Sequence, residues 1–227
     1  MTNDEEAPWA MQLVARVEKI DPPTTVEVCA AAAVATITLM AAEDAAEGGA
    51  WFDAIDAWQG GGRIRKLVRR ARGAPWQRAQ APDGATAQVG RAEVRAYVPS
   101  RMDQLPDALS KLQIRSSPLD EPAVVPAVPP GGPADAIIVI TPAVDMSWGK
   151  QAAQVAHAGQ LLARTWSADR FAEWETSGRP VVVVHADDAL WAQVDATAAV
   201  HVRDGGFTEI PAGTLTAVAF DRSTVAS

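Results

Sequence analysis

Cysteine is almost missing from this chain of 227 residues, and the few histidines are not clustered. The single Cys29 excludes an internal disulfide framework and suits a reducing, cytoplasmic setting. His157, His185 and His201 are scattered, and neither an H-x-x-x-H nor a C-x-x-C spacing occurs, so neither a metal nor another cofactor is expected. Long apolar runs are lacking as well. The best candidate, residues 28–42, is too short and too rich in Ala and Thr to cross a bilayer. No basic-then-apolar leader opens the chain, which starts with Asn3-Asp4-Glu5-Glu6, so a soluble protein is expected. Positive charge is scarce: net charge is −8, residues 1–120 carry 14 Lys+Arg against 16 Asp+Glu, and residues 121–227 carry 6 against 12. Neither half is basic, so affinity for a polyanion would have to come from a local cluster. Neither a Ser-His-Asp order nor a nucleophile elbow is evident.

What is present is a chain 48% hydrophobic, much of it alanine, which favours helices but buries little apolar area per residue. Pro118, Pro122, Pro126, Pro129, Pro130 and Pro133, with Gly131-Gly132, mark residues 116–133 as an extended, polyproline-like linker. It separates an α-rich α/β region, residues 1–115, from a second unit, residues 134–227. The second unit alternates as a three-layer α/β fold does: strands at 136–141, 180–185, 199–203 and 214–220, helices at 148–166, 168–177 and 189–197. In the first region the pattern predicts a strand over 12–18, a long helix over 24–45, a short aromatic helix over 51–58 and a strand over 91–98. Arg63, Arg65, Lys66, Arg69, Arg70 and Arg72 fall within ten residues. With Ile64, Leu67, Val68 and Ala71 between them, they predict one amphipathic basic helix.

The densest signal is the stretch from Asp145 to Ala158, DMSWGKQAAQVAHA, which follows the apolar strand Ile137-Ile138-Val139-Ile140. Ser147 suits an N-cap, which puts Lys150 at the third helical position. A cation there opposes the helix macrodipole, a local violation that an anion would relieve. Gln154 and His157 follow at i+4 and i+7, so all three side chains leave one face. Some fifty residues later comes Asp204-Gly205-Gly206-Phe207-Thr208-Glu209-Ile210-Pro211-Ala212-Gly213-Thr214-Leu215-Thr216. Taken singly, a solvated lysine and an ordinary hairpin turn would account for them.

Together the two segments resemble the type 2 peptidyl-tRNA hydrolases, in which a GK-x-AAQ-x-x-HA helix and a D-x-G-x-T-x-I-x-x-G-x-x-T hairpin build one active site. The resemblance covers roughly residues 134–220. It implies a small mixed β-sheet flanked by helices, and hydrolysis of the ester of peptidyl-tRNA without metal. By resemblance Lys150, Asp204, Thr208 and Thr216 match the functional positions. Asp204 would position and deprotonate water, Thr208 would hydrogen-bond to that water, and Lys150 would stabilise the oxyanion or the terminal phosphate. Gln154 and Thr216 would support them, and His157 would orient Lys150 or touch RNA. Arg65, Arg69 and Arg70 of the basic run would hold tRNA phosphates. The chain departs from the family at Thr141 and Ala143, where Arg and Asp are usual, at Trp148, and at Asp221-Arg222 in place of Gly-Pro. The alternative is a catalytically inactive RNA- or protein-binding relative.

Residues 1–115 also echo the second unit: Trp51-Phe52 and Trp58 stand like Phe171 and Trp174, and Asp83-Gly84-Ala85-Thr86 with Gly90 stands like the hairpin. A diverged duplication would put Thr25 near the place of Lys150 and Ala32 near that of His157. Chance likeness between two Ala-rich segments is the competing explanation. Since members of the resembled family pair as dimers, a duplicated chain would form that pair within itself, a homodimer being the alternative.

Overall fold

The computed structural model describes residues 7–61, 64–114, 118–206 and 209–224. The first strand, β1 (Trp9–Arg16), sends Met11, Leu13 and Ala15 into one core and Val14 into another. The helix α1 (Thr25–Met40) starts in a capping box: the Thr24 hydroxyl accepts from the Glu27 amide, and the Glu27 carboxylate accepts from the Thr24 amide at 2.7 Å. There follow a 3-10 turn (Glu43–Ala45), α2 (Phe52–Gly60), β2 (Lys66–Ala71), α3 (Gly73–Arg78), β3 (Gly84–Val89), β4 (Ala92–Tyr97), β5 (Ser100–Arg101) and α4 (Asp107–Ser110). The sheet runs β2-β1-β4-β3, with β1 parallel to β2 and antiparallel to β4.

The second sheet is built from β6 (Val124–Val125), β7 (Ala136–Ile140), β8 (Val181–Ala186), β9 (Val200–Arg203) and β10 (Leu215–Asp221). Its helices are α5 (Trp148–Ala163), α6 (Ala168–Thr176) and α7 (Asp188–Asp195). The order is β6-β8-β7-β10-β9, with β7 parallel to β8 and antiparallel to β10. Apart from the short strands β5 and β6, the 3-10 turns and the short helix α4, both halves read strand, helix, helix, strand, helix, strand, strand. They also share strand order and strand sense. The chain is a mixed α/β protein with two mixed sheets flanked by helices.

The halves meet through α1 and α5, whose alanines keep the helices thin. At Gly159 a Cβ would lie 3.0 Å from the Ala33 Cβ and 3.3 Å from the Ile37 Cδ1, so the two helices approach closely there. In addition α5 lies on β2 and α1 lies on β8. That reciprocity is what a two-fold axis between like units produces. One apolar cluster runs through both sheets and both long helices.

The structure corrects three expectations. The basic run is the strand β2, not a helix; Arg63 lies outside the described residues. Its apolar spacing fits 3.6 residues per turn, but Lys66, Val68 and Arg70 alternate equally well with Leu67, Arg69 and Ala71. Pairing with β1 from Met11–Lys66 to Arg16–Ala71 decides the matter, because it satisfies the backbone of both strands. The stretch around Gly84 is strand β3, and the turn that matches the later hairpin is Gly90-Arg91. Residues 118–133 are more than an extended tether: the Asp120 carboxylate accepts from the Thr25 amide at 2.5 Å, and β6 adds an edge strand to β8.

Candidate active site

Two elements bring the site together, the start of α5 and the hairpin between β9 and β10. Ser147 is the N-cap expected from sequence, its hydroxyl accepting from the Lys150 amide at 3.3 Å. The same hydroxyl donates to Glu209 at 2.6 Å, and the Ser147 amide donates to Glu209 at 2.9 Å, so the hairpin is tied to the helix start. Lys150 lies at the third helical position and forms an ion pair with Asp204. The anion that relieves the misplaced cation is therefore supplied by the chain itself. Both side chains are largely withdrawn from water, Lys150 at 12% and Asp204 at 4% exposure.

The Asp204 carboxylate is held from three directions. Oδ2 accepts from Lys150 Nζ and from Gln154 Nε2 at 2.7 Å, and Oδ1 accepts from the Gly206 amide at 2.7 Å. Because Gln154 gives its amide N–H to a carboxylate, its Oε1 turns away, and Thr216 Oγ1 donates to it at 2.9 Å. Thr216 stands where the pairing of β10 with β9 slips, between Leu215 and Ala217. Such a bulge re-aims a side chain, here toward α5. In the first sheet β3 and β4 pair without a slip. Thr208 lies outside the described residues.

His157 is one turn further along the same face of α5, hydrogen-bonded to neither Lys150 nor Asp204. Its Nδ1 lies 3.1 Å from the ammonium of Lys66, which comes from β2 of the first half. Burial first, then the charges of Lys66 and Lys150, hold the His157 imidazole well below its ordinary pKa. Lys66 also donates to Gln160 and stands 4.9 Å from the centre of the Trp58 ring. Burial pushes its ammonium well below the usual lysine pKa. Cys29 is buried in α1, where burial raises its thiol pKa, so it offers no nucleophile. Among the described residues no group of His, Cys, Asp and Glu side chains is placed to hold a metal ion.

With this geometry the comparisons agree. Residues 135–225 match the model of the family described as peptidyl-tRNA hydrolase PTH2. A peptidyl-tRNA hydrolase from Staphylothermus marinus is 36% identical over 97 residues, spanning 36% of this chain and 76% of that protein. The chain belongs to the PTH2 family. The matched segment holds Lys150, Gln154, His157, Asp204, Thr208 and Thr216, while the sheet that carries Lys66 and Arg70 lies outside it. At the family level, membership supports hydrolase activity on peptidyl-tRNA.

Of the three arginines expected to hold tRNA phosphates, one is withdrawn from the surface. Arg69 is a correction: it is buried at 5% exposure, donating to Gln12 Oε1 at 2.8 Å and to the Leu112 carbonyl at 2.7 Å, so it has no reach to a phosphate. Arg65 and Arg70 are half-buried, and Arg70 donates to Gln113 at 2.7 Å. Arg70, Arg72 and Lys111 line an open cleft of about 320 Å³. Sequence reasoning missed Lys66 and Gln160. The signal that would have revealed Lys66 was the period-two alternation in β2.

The first half carries a counterpart of the site with its signs exchanged. Counted from the N-caps Thr24 and Ser147, Glu27 takes the place of Lys150 and Val34 that of His157, two residues beyond the positions expected from sequence. At the Gly90-Arg91 turn the Arg91 amide donates to Glu27 at 3.2 Å, and the Arg91 guanidinium pairs with the same carboxylate at 3.5 Å.

Proposed function

We propose that residues 134–227 hydrolyse the ester between peptide and terminal ribose in peptidyl-tRNA by direct attack of water, without metal. Asp204 takes a proton from the water as its oxygen bonds to the carbonyl carbon, and Lys150 donates to the oxyanion that forms. Collapse breaks the bond from that carbon to the ribose oxygen, and the proton held by Asp204 passes to the departing oxygen. Gln154 and the Gly206 amide hold the carboxylate, Thr216 holds Gln154, and Thr208 hydrogen-bonds to the water. The observation that carries this reading is the Asp204 carboxylate fixed against Lys150 by donors from two separate elements.

Residues 1–115 act as a catalytically silent copy paired with the active one inside a single chain, where separate chains would form a homodimer. The shared strand order and the reciprocal packing of α1 and α5 support it. This half also grips RNA. A Cβ at Gly149 would lie 3.8 Å from the Val68 Cβ, and Arg70 is two residues further along the same face of β2, about 7 Å away. On this reading the cleft of Arg70, Arg72 and Lys111 holds phosphates that lie beyond the ester. The setting is that of translation, in the cytoplasm.

Purified protein and an N-blocked aminoacyl-tRNA test this directly. Release should persist in chelator and fall about 10²-fold or more in Lys150→Ala. Binding of tRNA without release by the parent protein would favour the inactive relative, a reading to which Thr141 and Ala143 lend weight.

A further inference from the structure

We infer that Lys66, supplied by the first half, is a positioning residue for His157. By donating to Nδ1 it fixes the ring as the Nε2–H tautomer, whose N–H serves as a hydrogen-bond donor to the tRNA end. This rests on the reading that the Lys150 face of α5 receives substrate.

The chemistry of the contacts sets the tautomer. Lys66 Nζ donates to Gln160 Oε1 and lies 3.1 Å from His157 Nδ1, and toward that nitrogen an ammonium can act only as donor. A ring nitrogen that accepts carries no proton, so in a neutral ring the hydrogen belongs to Nε2. Burial and the neighbouring ammonium groups keep the ring neutral. Nε2 makes no hydrogen bond to the described residues, and the residue is half-buried, so a ligand at the Lys150 face is the partner left for it. The ring leaves α5 on the face shared by Lys150 and Gln154.

The fold does not require Lys66. Strand register makes Val181 its equivalent in the second sheet, because Leu13 pairs with Val68 as Ile138 pairs with Val183. The helix position equivalent to His157 is Val34. One side of the pseudo-two-fold thus holds two valines in the apolar cluster, and the other holds a buried lysine against a histidine. Among the described residues no carboxylate forms an ion pair with Lys66. An amine buried without a counterion is costly and is retained where it holds something in place. What it holds is the C-terminal half of α5, through His157 and Gln160.

The test is Lys66→Met in the full chain, which keeps the length and removes the donor. The His157 ring, assigned by difference from His157→Ala, is followed by its nitrogen NMR shifts. The parent should show the Nε2–H tautomer, and the variant a mixture of both. For N-blocked aminoacyl-tRNA, KM should rise about fivefold with kcat within about twofold, and in the His157→Ala background Lys66→Met should add nothing further. The Nδ1–H tautomer or an imidazolium in the parent would overturn the inference, whether or not the variant folds. So would an unchanged tautomer and KM in a folded variant. If the parent shows no turnover, the hydrolase reading fails by itself. The tautomer, with the Kd for uncharged tRNA replacing KM, still decides this one.

Discussion

Replacing Asp204 by Asn separates a catalytic carboxylate from a structural one. The side chain keeps its shape, and Oδ1 can still accept from the Gly206 amide. Its second atom becomes an NH2 that faces two donors, Lys150 Nζ and Gln154 Nε2. Two hydrogen bonds to a charged acceptor are lost, each contributing about 1.5–3 kcal/mol. The Lys150 ammonium, 12% exposed, loses its ion pair with the Asp204 carboxylate. Breaking a buried pair by removing one partner costs about 3–5 kcal/mol in all, which bounds the loss of stability from above. A domain with about 5–15 kcal/mol of stability remains folded after that loss. Denaturant unfolding should therefore report a drop of a few kcal/mol, while single-turnover release from N-blocked aminoacyl-tRNA by the folded protein should fall about 10²-fold or more. A stability loss with near-normal release would make the pair a structural brace and refute the site. Normal values for both would refute the hydrogen bonding described for Asp204 as well.

Thr216→Val should slow release about tenfold and cost about 1–3 kcal/mol, because the buried Gln154 Oε1 loses its donor, whereas Thr216→Ser should restore both. Arg70→Ala, Arg72→Ala and Lys111→Ala combined should weaken tRNA binding and reduce the slope of log affinity against log salt by up to about 2, with kcat little changed; Arg69→Ala should instead destabilise the fold. His157 and His185 both titrate below their ordinary range when folded, so as pH falls below about 6.5 the unfolded chain takes up protons that the native chain does not. Stability should then decrease by up to about 1.4 kcal/mol per pH unit for each, and in unfolding curves at pH 7.5 and 5.5 His157→Gln should remove part of that slope.

The second half was legible because each of its elements carries a signal of its own: an apolar run for β7 and β8, a serine cap before α5, and turn residues around the hairpin. The site residues Lys150 and Gln154 follow from helical spacing, and Asp204 and Thr216 from the motif. The first half was less legible for a specific reason. In β2 two periodicities coincide, and only a partner strand 55 residues away, Met11 against Lys66, chooses between them. The same non-local choice hid Lys66 and buried Arg69. The likeness of the halves was visible only in part, because what they share is topology, while the residues at matching positions differ in sign or polarity.

That divergence makes each half a control for the other. At the third position of the main helix the first half has Glu27 in a capping box, the arrangement the macrodipole favours, whereas the second has Lys150 and depends on Asp204 to offset it. Pairing of the last two strands is regular in the first half and slips at Thr216 in the second. At each of these points the second half departs from the locally favourable choice, as functional sites do. At β2 the departure goes the other way, with Lys66 in the first half where the second has Val181. Within its own half the side chain of that lysine meets only the face of Trp58, and its hydrogen bonds go to α5. It stands against α5, so the constraint that keeps it there comes from the other half. A first half that served only as scaffold would have no reason to bear the cost of a buried amine, and Lys66→Met, which takes the donor from Gln160 and from His157, should weaken the hold on tRNA in a chain that still folds.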